Sequence, residues 1–426
     1  MSTNKSIDAG NFLVYLEEPA SSEKWLYDLQ SNALKSLREG GFPTRKVEEW
    51  KYTDVEPIVS KEYAKVSEAS EVAFTPLSET YSIVFVDGVF SEKLSDIDRL
   101  PSGLTVKQFT EASAENSEVM KKALTDGPND CVSAFTQLNA AFANAGVYIE
   151  VAKNTAVDKP VHVVNILSAE NRISVLRNVV NLNEGAELEL MENFVSDSES
   201  QAFSNVVTDV FLSKNATLRH VKNQSQNESS FHIGSIRVSQ DRDSNYYSSV
   251  FTCGSAISRL DLDTELNDEN ASCDLKGLYA VKGSQLADNH TFMNHNAPRT
   301  FSDQIYKGIL DERSRGVYNG KVFIARDSQL VESSQLNKNL MLSKNARIDT
   351  KPELDVYADD VKAAHGAAIG QLNEDELFYI QSRCISKDDA MAMLVHGHME
   401  EVIETVKSPQ IREYLEEIYL DIFTQK

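Results

Sequence analysis

A single histidine set among very small residues carries the clearest potential for metal chemistry in this sequence. His365 lies in the segment Val361–Ala367, preceded by two alanines and followed by a glycine and an alanine. Small neighbours leave an imidazole accessible, and imidazole binds iron, zinc or a metal cluster well. Taken alone, a histidine more often has a structural or hydrogen-bonding role, so the pattern leaves both interpretations open.

Other histidines do not complete a set of metal ligands. His396 and His398 fall on a predicted helix, where side chains two positions apart diverge by about 200°. On a strand, His290 and His295 would face opposite ways. We therefore expect structural roles for both pairs, with His398 packed on the apolar side of its helix.

The cysteines are far apart and contain no CxxC pair. In a reducing compartment they are expected to be thiols, and Cys273, which shares a face with Leu275, is expected to be buried. Cys384 is the cysteine closest in sequence to His365, and whether it contributes to the same site stays open. The four positions are Cys131, Cys253, Cys273 and Cys384.

Composition and charge exclude several classes of partner. The chain has 426 residues, 41% of them hydrophobic, with 42 Lys and Arg against 65 Asp and Glu and a formal charge of −23. Nucleic-acid and anionic-membrane binding need clustered cations, so neither partner is expected. The segment Met1–Gly10 lacks the apolar core of a signal peptide, and no apolar run approaches a membrane span, which predicts a cytoplasmic location.

Residues 1–146 are predicted to be mostly helical with a few strands. Apolar residues recur at helical spacing from Ser22 to Glu39, and Gly40 and Gly41 end that pattern. Tyr81–Phe90 is typical of a strand pair that turns at Asp87 and Gly88. Val132–Asn144 is predicted to be a helix.

Residues 147–370 are predicted to form a β-rich core. In Arg259–Leu266 the leucines alternate with charged residues, which predicts one face on a core and one in water. Turn-then-strand segments recur at Gly185, Asn215, Asn270 and Asn345, residue types that suit positive-φ corners. The recurrence of these segments modestly favours a solenoid or β-helix over a sandwich, although the spacing between them is not fixed.

Residues 371–426 are predicted to be helical. Asn373 and Ser386 are suited to cap two helices, and Pro409 suits the first turn of a third. The apolar stripes from Met391 to Val406 and from Ile411 to Phe423 either pack internally or form a docking surface for a partner.

Several segments together resemble the SufB/SufD family. They follow the family's order along nearly the whole chain, and within the family the chain is more similar to the SufD branch. A SufB chain would carry a glutamate-flanked histidine in place of Ala364-His365-Gly366 and a cysteine in an upstream turn, whereas no cysteine lies between residues 274 and 383. The segments are Phe42–Thr53, Ser314–Phe323, Gln335–Ser343, Asp349–Leu354, Val361–Ala367 and Glu376–Arg383.

The resemblance implies a mainly β protein, with a right-handed parallel β-helix core between an N-terminal α/β region and C-terminal helices. It implies a non-catalytic scaffold subunit that pairs with SufB and binds the SufC ATPase, in a complex that receives sulfur from a cysteine desulfurase. The cargo would be a transient iron–sulfur cluster or iron. Reduced flavin would act, if at all, in the whole complex, and the isolated chain would bind no cofactor tightly.

The resemblance also implies roles for individual residues. His365 falls at the position proposed to face the SufB cysteine as a ligand of the nascent cluster. The region that docks SufC would be the C-terminal helices, with Phe378, Tyr379, Arg383, Met391 and Leu394 as candidate contacts. Two departures stand out: Ala363-Ala364 replaces a frequent Cys-Ser pair, and Cys384 stands where many relatives have a positive-φ glycine.

Two other functions fit the residues. A carbohydrate-active or lyase-type β-helix enzyme would recruit clustered acids and bases, and Asp359, Asp360 and Lys362 are candidates. A purely structural homodimer without metal chemistry is the third reading, because a β-helix has open strand edges that favour pairing.

Overall fold

The computed structural model describes residues 6–14, 16, 21–115, 117–125 and 133–423. Cys131 and Val132, for which the sequence predicts a thiol and the start of a helix, lie outside these residues. Within the described ranges, no helix combines the length and the apolar character that crossing a membrane requires.

The N-terminal part of the chain combines short helices with short strands. Its elements are β1 (Ser6–Ile7), α1 (Gly10–Leu13), α2 (Lys24–Gly40), β2 (Phe42–Pro43), α3 (Glu56–Val59), β3 (Tyr81–Val86), β4 (Val89–Phe90), β5 (Leu104–Gln108), α4 (Phe109–Glu115), α5 (Ser117–Thr125) and α6 (Ala134–Phe142). The helix predicted near Ser22–Glu39 is confirmed as α2, and the strand pair is confirmed as the antiparallel β3–β4 hairpin.

The rest of the chain up to residue 371 is a coil of long strands. They are β6 (Val147–Val151), β7 (Val161–Leu167), β8 (Ile173–Leu182), β9 (Glu187–Ser196), β10 (Phe203–Leu212), β11 (Thr217–Gln224), β12 (Phe231–Gln240), β13 (Asn245–Thr252), β14 (Ile257–Leu266), β15 (Ser272–Val281), β16 (Leu286–His295), β17 (Phe301–Leu310), β18 (Arg315–Ile324), β19 (Val331–Met341), β20 (Arg347–Val356) and β21 (Val361–Gln371).

Consecutive strands of the coil alternate between two sheets. Each strand pairs in parallel with the strand two positions along the chain, so β8, β10 and β12 are neighbours in one sheet and β9, β11 and β13 in the other. One turn of the coil thus adds one strand to each sheet. The parallel β-helix expected from the resemblance is confirmed, and we call the space between its two sheets the lumen.

Three of the four corners predicted to have positive φ do have it. Gly185, Asn215 and Asn270 all have positive φ, between 57° and 68°. A Cβ at Gly185 would overlap the side chain of Asn154 in the neighbouring turn, so glycine is required there for space as well as for conformation. The fourth prediction was wrong: Asn345 does not adopt positive φ.

The two ends of the coil differ. At the first end, β5 pairs antiparallel with β6, and β3 adds to β7, so N-terminal strands continue both sheets. At the other end, β20 and β21 are the last strands of the nine-stranded and ten-stranded sheets among the described residues. We call this open end the mouth.

The predicted water-facing side of Arg259–Leu266 is buried at Arg259 and Asp263 and half-buried at Asp261 and Glu265. Arg259 is buried, stacks 3.9 Å from the ring centre of Trp50, and donates to the Glu49 carbonyl (2.7 Å) and to Asp288 (2.8 Å). The prediction was wrong because strand alternation separates two faces but does not reveal that the N-terminal region packs against the second one.

A second buried charge network joins the N-terminal region to the coil. Asp209 accepts bonds from Arg177 and from Arg237, both at 2.7 Å. Each arginine also donates to the carbonyl of Ala123 near the end of α5, both at 2.6 Å. Burial lowers the pKa of Arg177, and Asp209 opposes that shift. The network therefore places charges where their removal should affect stability strongly.

Four histidines are buried in the coil, and one of them, His220, contacts Glu192 and Tyr246 through its two ring nitrogens. His232 bonds Ser204 at 2.7 Å, and His295 lies between Thr300 (2.7 Å) and Ser302 (2.9 Å). Both ring nitrogens of His162 are buried without a partner among the described residues. Burial lowers the pKa of His162 to about 3 and of His295 to about 4, and burial together with Lys222 lowers the pKa of His232 well below its usual value.

Three helices follow the last strand: α7 (Glu374–Gln381), α8 (Lys387–Ile403) and α9 (Pro409–Asp421). The predicted caps are confirmed: the Asn373 side chain accepts from the Asp375 amide, and that of Ser386 accepts from the Asp389 amide. The second half of α8 and most of α9 pack on the outside of the coil, which confirms internal packing for those apolar stripes. In contrast, α7 buries none of its residues.

Candidate functional site

His365 lies at the mouth of the β-helix. It belongs to β21, the last strand of its sheet, and its side chain is exposed, as its small neighbours predict. Val361 and Ala363, on the same face of the strand, pack against the core of the lumen. Side chains two positions apart share a face, so His365 is on the lumen side of a strand that no further turn covers.

The strand edges at the mouth are open to pairing. The outer backbone groups of β20 and β21 meet no further strand among the described residues, and β21 contains no proline and a single charged residue, Lys362. The edge of β20 differs, because it contains Pro352 and five charged residues. A long edge with little charge, like that of β21, is usually covered by another chain. Exposed apolar side chains surround the edges: Val356, Tyr357 and Ile369.

The aspartates and lysine considered for a carbohydrate-active site do not converge. Lys362 lies on the outer face and pairs with Glu332 at 2.6 Å. The Asp360 amide donates to the Gln329 side chain in the turn before β21, and Asp359 is exposed in the same turn. The arrangement is a solvated turn and a surface ion pair rather than a catalytic groove.

The thiols do not complete a site with His365. Cys273 is buried as predicted, and burial raises the pKa of Cys253 to about 12 and that of Cys273 further, so both are poor nucleophiles. Cys384 is exposed just after α7 and has the positive φ, 64°, expected at that corner. Across the described ranges, no three His, Cys, Asp or Glu side chains are placed to hold a metal ion. Within those ranges, His365 therefore belongs to no such group of three.

The candidate docking residues lie on the helices that follow the mouth. Phe378 and Tyr379 on α7 are 74% and 57% exposed, and the guanidinium of Arg383 stacks 4.0 Å from the Tyr379 ring centre. Met391 and Leu394, on the first half of α8, are half-buried. The five residues, which we call the docking region, thus present aromatic and cationic groups on elements that pack little against the coil.

The docking region is joined directly to the strand that carries His365. Strand β21 ends at Gln371 and α7 begins at Glu374, so only Leu372 and Asn373 separate them. A displacement of α7 would act on β21 through two residues of covalent chain.

The exposed apolar side chains at the mouth were not predicted from the sequence, although the sequence contains a signal for one of them, Ile369. Within Val361–Gln371, His365 and Ile369 have the same parity and therefore the same face. Exposure of Ile369 follows only from β21 being the last strand, which depends on the pairing of the whole coil.

Comparison with known proteins agrees with this architecture. Residues 165–398 match the family described as the SUF system FeS cluster assembly SufBD core domain, and residues 18–163 match the SufBD protein N-terminal region. An iron–sulfur cluster assembly SufBD family protein of Synechocystis is 30% identical, over 88% of this chain and 86% of that protein.

Two further relatives come from distant organisms. The iron–sulfur cluster assembly protein SufD of Escherichia coli is 29% identical, covering 89% of both chains. A chloroplastic protein of Arabidopsis thaliana, ABCI7, is 28% identical over 93% of this chain and 86% of its own length. With both family regions matched across a continuous parallel β-helix, the chain belongs to the SufBD family of iron–sulfur cluster assembly proteins and is SufD-like within it.

Proposed function

We propose that this chain is a non-catalytic scaffold subunit of a cytosolic iron–sulfur cluster assembly complex. It pairs through the mouth with a SufB-type chain, and His365 is a ligand of the nascent cluster, which is the cargo. The observation that carries the proposal is an exposed imidazole on the lumen side of an uncovered edge strand. The family membership and the SufD relative support the role in cluster assembly.

In this proposal, His365 acts only as a ligand of iron. A neutral imidazole offers one nitrogen lone pair to iron, while a thiolate from the partner chain and sulfur delivered by a cysteine desulfurase would complete the site. The rigid stack of turns beneath β21 fixes the backbone of His365, so that the position of the ring depends on how the partner closes the mouth.

A SufC-type ATPase is the proposed partner of the docking region. Exposed Phe378 and Tyr379 with the stacked Arg383 form a surface suited to a protein partner, because aromatic and arginine side chains dominate such interfaces. Nucleotide-driven movement of the ATPase would shift α7 and, through Leu372 and Asn373, the strand at the mouth.

Replacement of His365 should impair assembly without preventing complex formation. In a complex co-purified with a SufB-type chain and a SufC-type ATPase, we expect His365→Ala to slow cluster assembly at least about tenfold, and His365→Cys, which retains an iron ligand, to recover part of the rate. The measurement is cluster formation followed by visible absorbance.

Lys362→Ala provides the control for His365→Ala, since it changes the outer face of the same strand and should assemble clusters at the wild-type rate. A wild-type rate in the His365→Ala complex would rule out the ligand role while leaving the scaffold role intact.

Changes in the docking region should release the ATPase selectively. We expect the double variant Phe378→Ala, Tyr379→Ala to weaken retention of the SufC-type subunit by about tenfold or more, since buried aromatic anchors carry much of an interface's affinity. Retention of the SufB-type chain should be unchanged. Tyr357→Ala at the mouth is the matched aromatic control, and equal loss of ATPase from both variants would contradict the assignment.

A structural homodimer is the second candidate, because the open edges of β20 and β21 suit pairing with a second copy. Light scattering on the isolated chain measures that pairing. A dimer that persists when a SufB-type chain is added, together with unimpaired assembly by His365→Ala, would favour this function over the scaffold.

A further inference from the structure

The side chain next to His365 inside the coil is an amide. Gln335 is the Cα partner of His365 in the parallel pairing of β19 with β21, and Gln304 is the partner of Gln335 one turn deeper. Aligned residues of parallel strands project from the same face. Val331, on the face of Gln335, is part of the lumen core, so Gln304, Gln335 and His365 form one column along the lumen wall.

The amide of Gln335 is buried and makes no well-formed hydrogen bond among the described residues, although the Tyr318 hydroxyl lies near it. The side chain is 3% exposed, and both Oε1 and Nε2 lack a hydrogen-bond partner. Gln304 differs in part: its Oε1 accepts from the Thr291 hydroxyl at 2.8 Å, whereas its Nε2 also lacks a partner among the described residues. A buried amide without partners is costly to fold, and such groups commonly mark a functional contact.

Further unpartnered polar atoms lie near the mouth. The Thr350 hydroxyl on β20 is also buried without a partner in the described part of the chain. The aligned Tyr318 hydroxyl on β18 has only loose contacts, with Thr291 and Gln335. A Cβ on Gly320 would overlap both the Gln335 amide nitrogen and the Tyr318 hydroxyl, so the glycine keeps space open for them. The last two turns of the coil therefore hold free hydrogen-bonding capacity next to the one strand that carries His365.

We propose that Gln335 is a positioning residue for His365. Its carbonyl oxygen has no partner in the part of the chain that the structure describes, and a rotation of the side chain lets it accept the N–H of one ring nitrogen, which leaves the other nitrogen with its lone pair directed out of the mouth. Neighbouring strands stand about 4.8 Å apart, a gap that a glutamine side chain spans. Histidines that bind metals usually donate their second ring N–H in this way, which fixes tautomer and orientation. The role in assembly rests on the proposed function, whereas the hydrogen bond does not.

Nitrogen NMR of the isolated full chain tests the hydrogen bond. With ¹⁵N-labelled histidine at pH 8.5, the His365 signals, identified by their loss in His365→Ala, should report a single tautomer in the wild type. Gln335→Leu should give a mixture of both tautomers, and Gln335→Glu, which restores an acceptor, should give a single one. Gln304→Leu, one turn deeper in the same column, is the matched control and should leave His365 unchanged.

Two results would overturn the inference. One is an unchanged tautomer in Gln335→Leu, and the other is an equal change in Gln304→Leu, which would indicate a general loosening of the coil. Folding of each variant is checked by its urea midpoint, and Gln335→Glu keeps the test informative if the leucine variant fails to fold.

Assembly measurements separate this inference from the proposed function. In the reconstituted complex we expect Gln335→Leu to slow assembly about tenfold with both partners retained. If His365→Ala assembles normally while Gln335→Leu mixes the tautomers, the ligand role is lost and the hydrogen bond stands. If His365→Ala is inactive while Gln335→Leu keeps a single tautomer, the proposed function stands and Gln335 has no positioning role.

Discussion

Lowering the pH from 7.5 to 5 should reduce the free energy of unfolding by several kcal/mol. His162, His232 and His295 have pKa values lowered by burial, so they stay neutral in the folded protein at pH 5. In the unfolded chain they titrate near 6.5. Below that pH the unfolded state binds more protons, and stability is lost at about 1.4 kcal/mol per pH unit for each group.

The size of this effect is large relative to the stability of a typical domain. By pH 5 each histidine accounts for about 2 kcal/mol, so the three together, about 6 kcal/mol, equal the whole stability of a domain near the lower end of the usual 5–15 kcal/mol range. The loss begins near pH 6.5 and continues until each folded pKa is reached. Urea unfolding monitored by circular dichroism between pH 8 and pH 5 measures the slope.

Removing one of these histidines should flatten the curve. His162→Leu is the sharpest variant, because both ring nitrogens of His162 lack partners and leucine removes a buried polar group. We expect the His162→Leu protein to be more stable than the wild type at pH 5. Its free energy of unfolding should also fall less steeply with pH, by the contribution of one histidine. At pH 8 His162 is neutral in both the folded and the unfolded state, so the difference in stability between the two proteins should become constant there. Parallel curves down to pH 5 would show that His162 titrates normally in the folded protein.

The second large effect is expected for Asp209→Ala. This change leaves the guanidiniums of Arg177 and Arg237 facing each other without their shared carboxylate, in a site where Arg177 is fully enclosed. Breaking a buried ion pair by removing one partner costs about 3–5 kcal/mol. Both arginines also hold the Ala123 carbonyl of α5, so the N-terminal region should become more accessible to protease at the same time.

Two companion variants make the Asp209 experiment decisive. Glu71→Ala removes the acid of an exposed pair with Lys93 and should cost less than about 1 kcal/mol. The triple change Arg177→Met, Asp209→Leu, Arg237→Met removes all three charges and should recover most of the lost stability. A cost for Asp209→Ala no greater than that for Glu71→Ala, measured by urea unfolding, would mean that the network is hydrated and weak.

Local chemistry in the sequence was a good guide to local structure. The caps at Asn373 and Ser386 and the corners at Gly185, Asn215 and Asn270 depend only on a few neighbouring atoms, and all five are observed. The accessibility of His365 was also predicted from its small neighbours. Its role as a ligand stays a prediction.

Features that depend on distant segments were beyond the sequence. Arg259 was assigned to water because alternation cannot show that Trp50 covers it. The alignment of Gln335 beneath His365 and the meeting of Arg177 with Asp209 require the register of the whole coil, in which residues about 30 positions apart become neighbours.

The uncovered last turn has a consequence for the balance of synthesis in the cell. Under the proposed pairing, a copy without its SufB-type partner exposes the edges of two strands, of 10 and 11 residues, next to the exposed apolar side chains of Val356, Tyr357 and Ile369. Such surplus molecules would stack end to end or be degraded. Producing this chain in step with whatever closes its open end is therefore a physical requirement, and overproduction alone should yield aggregates rather than a larger working pool.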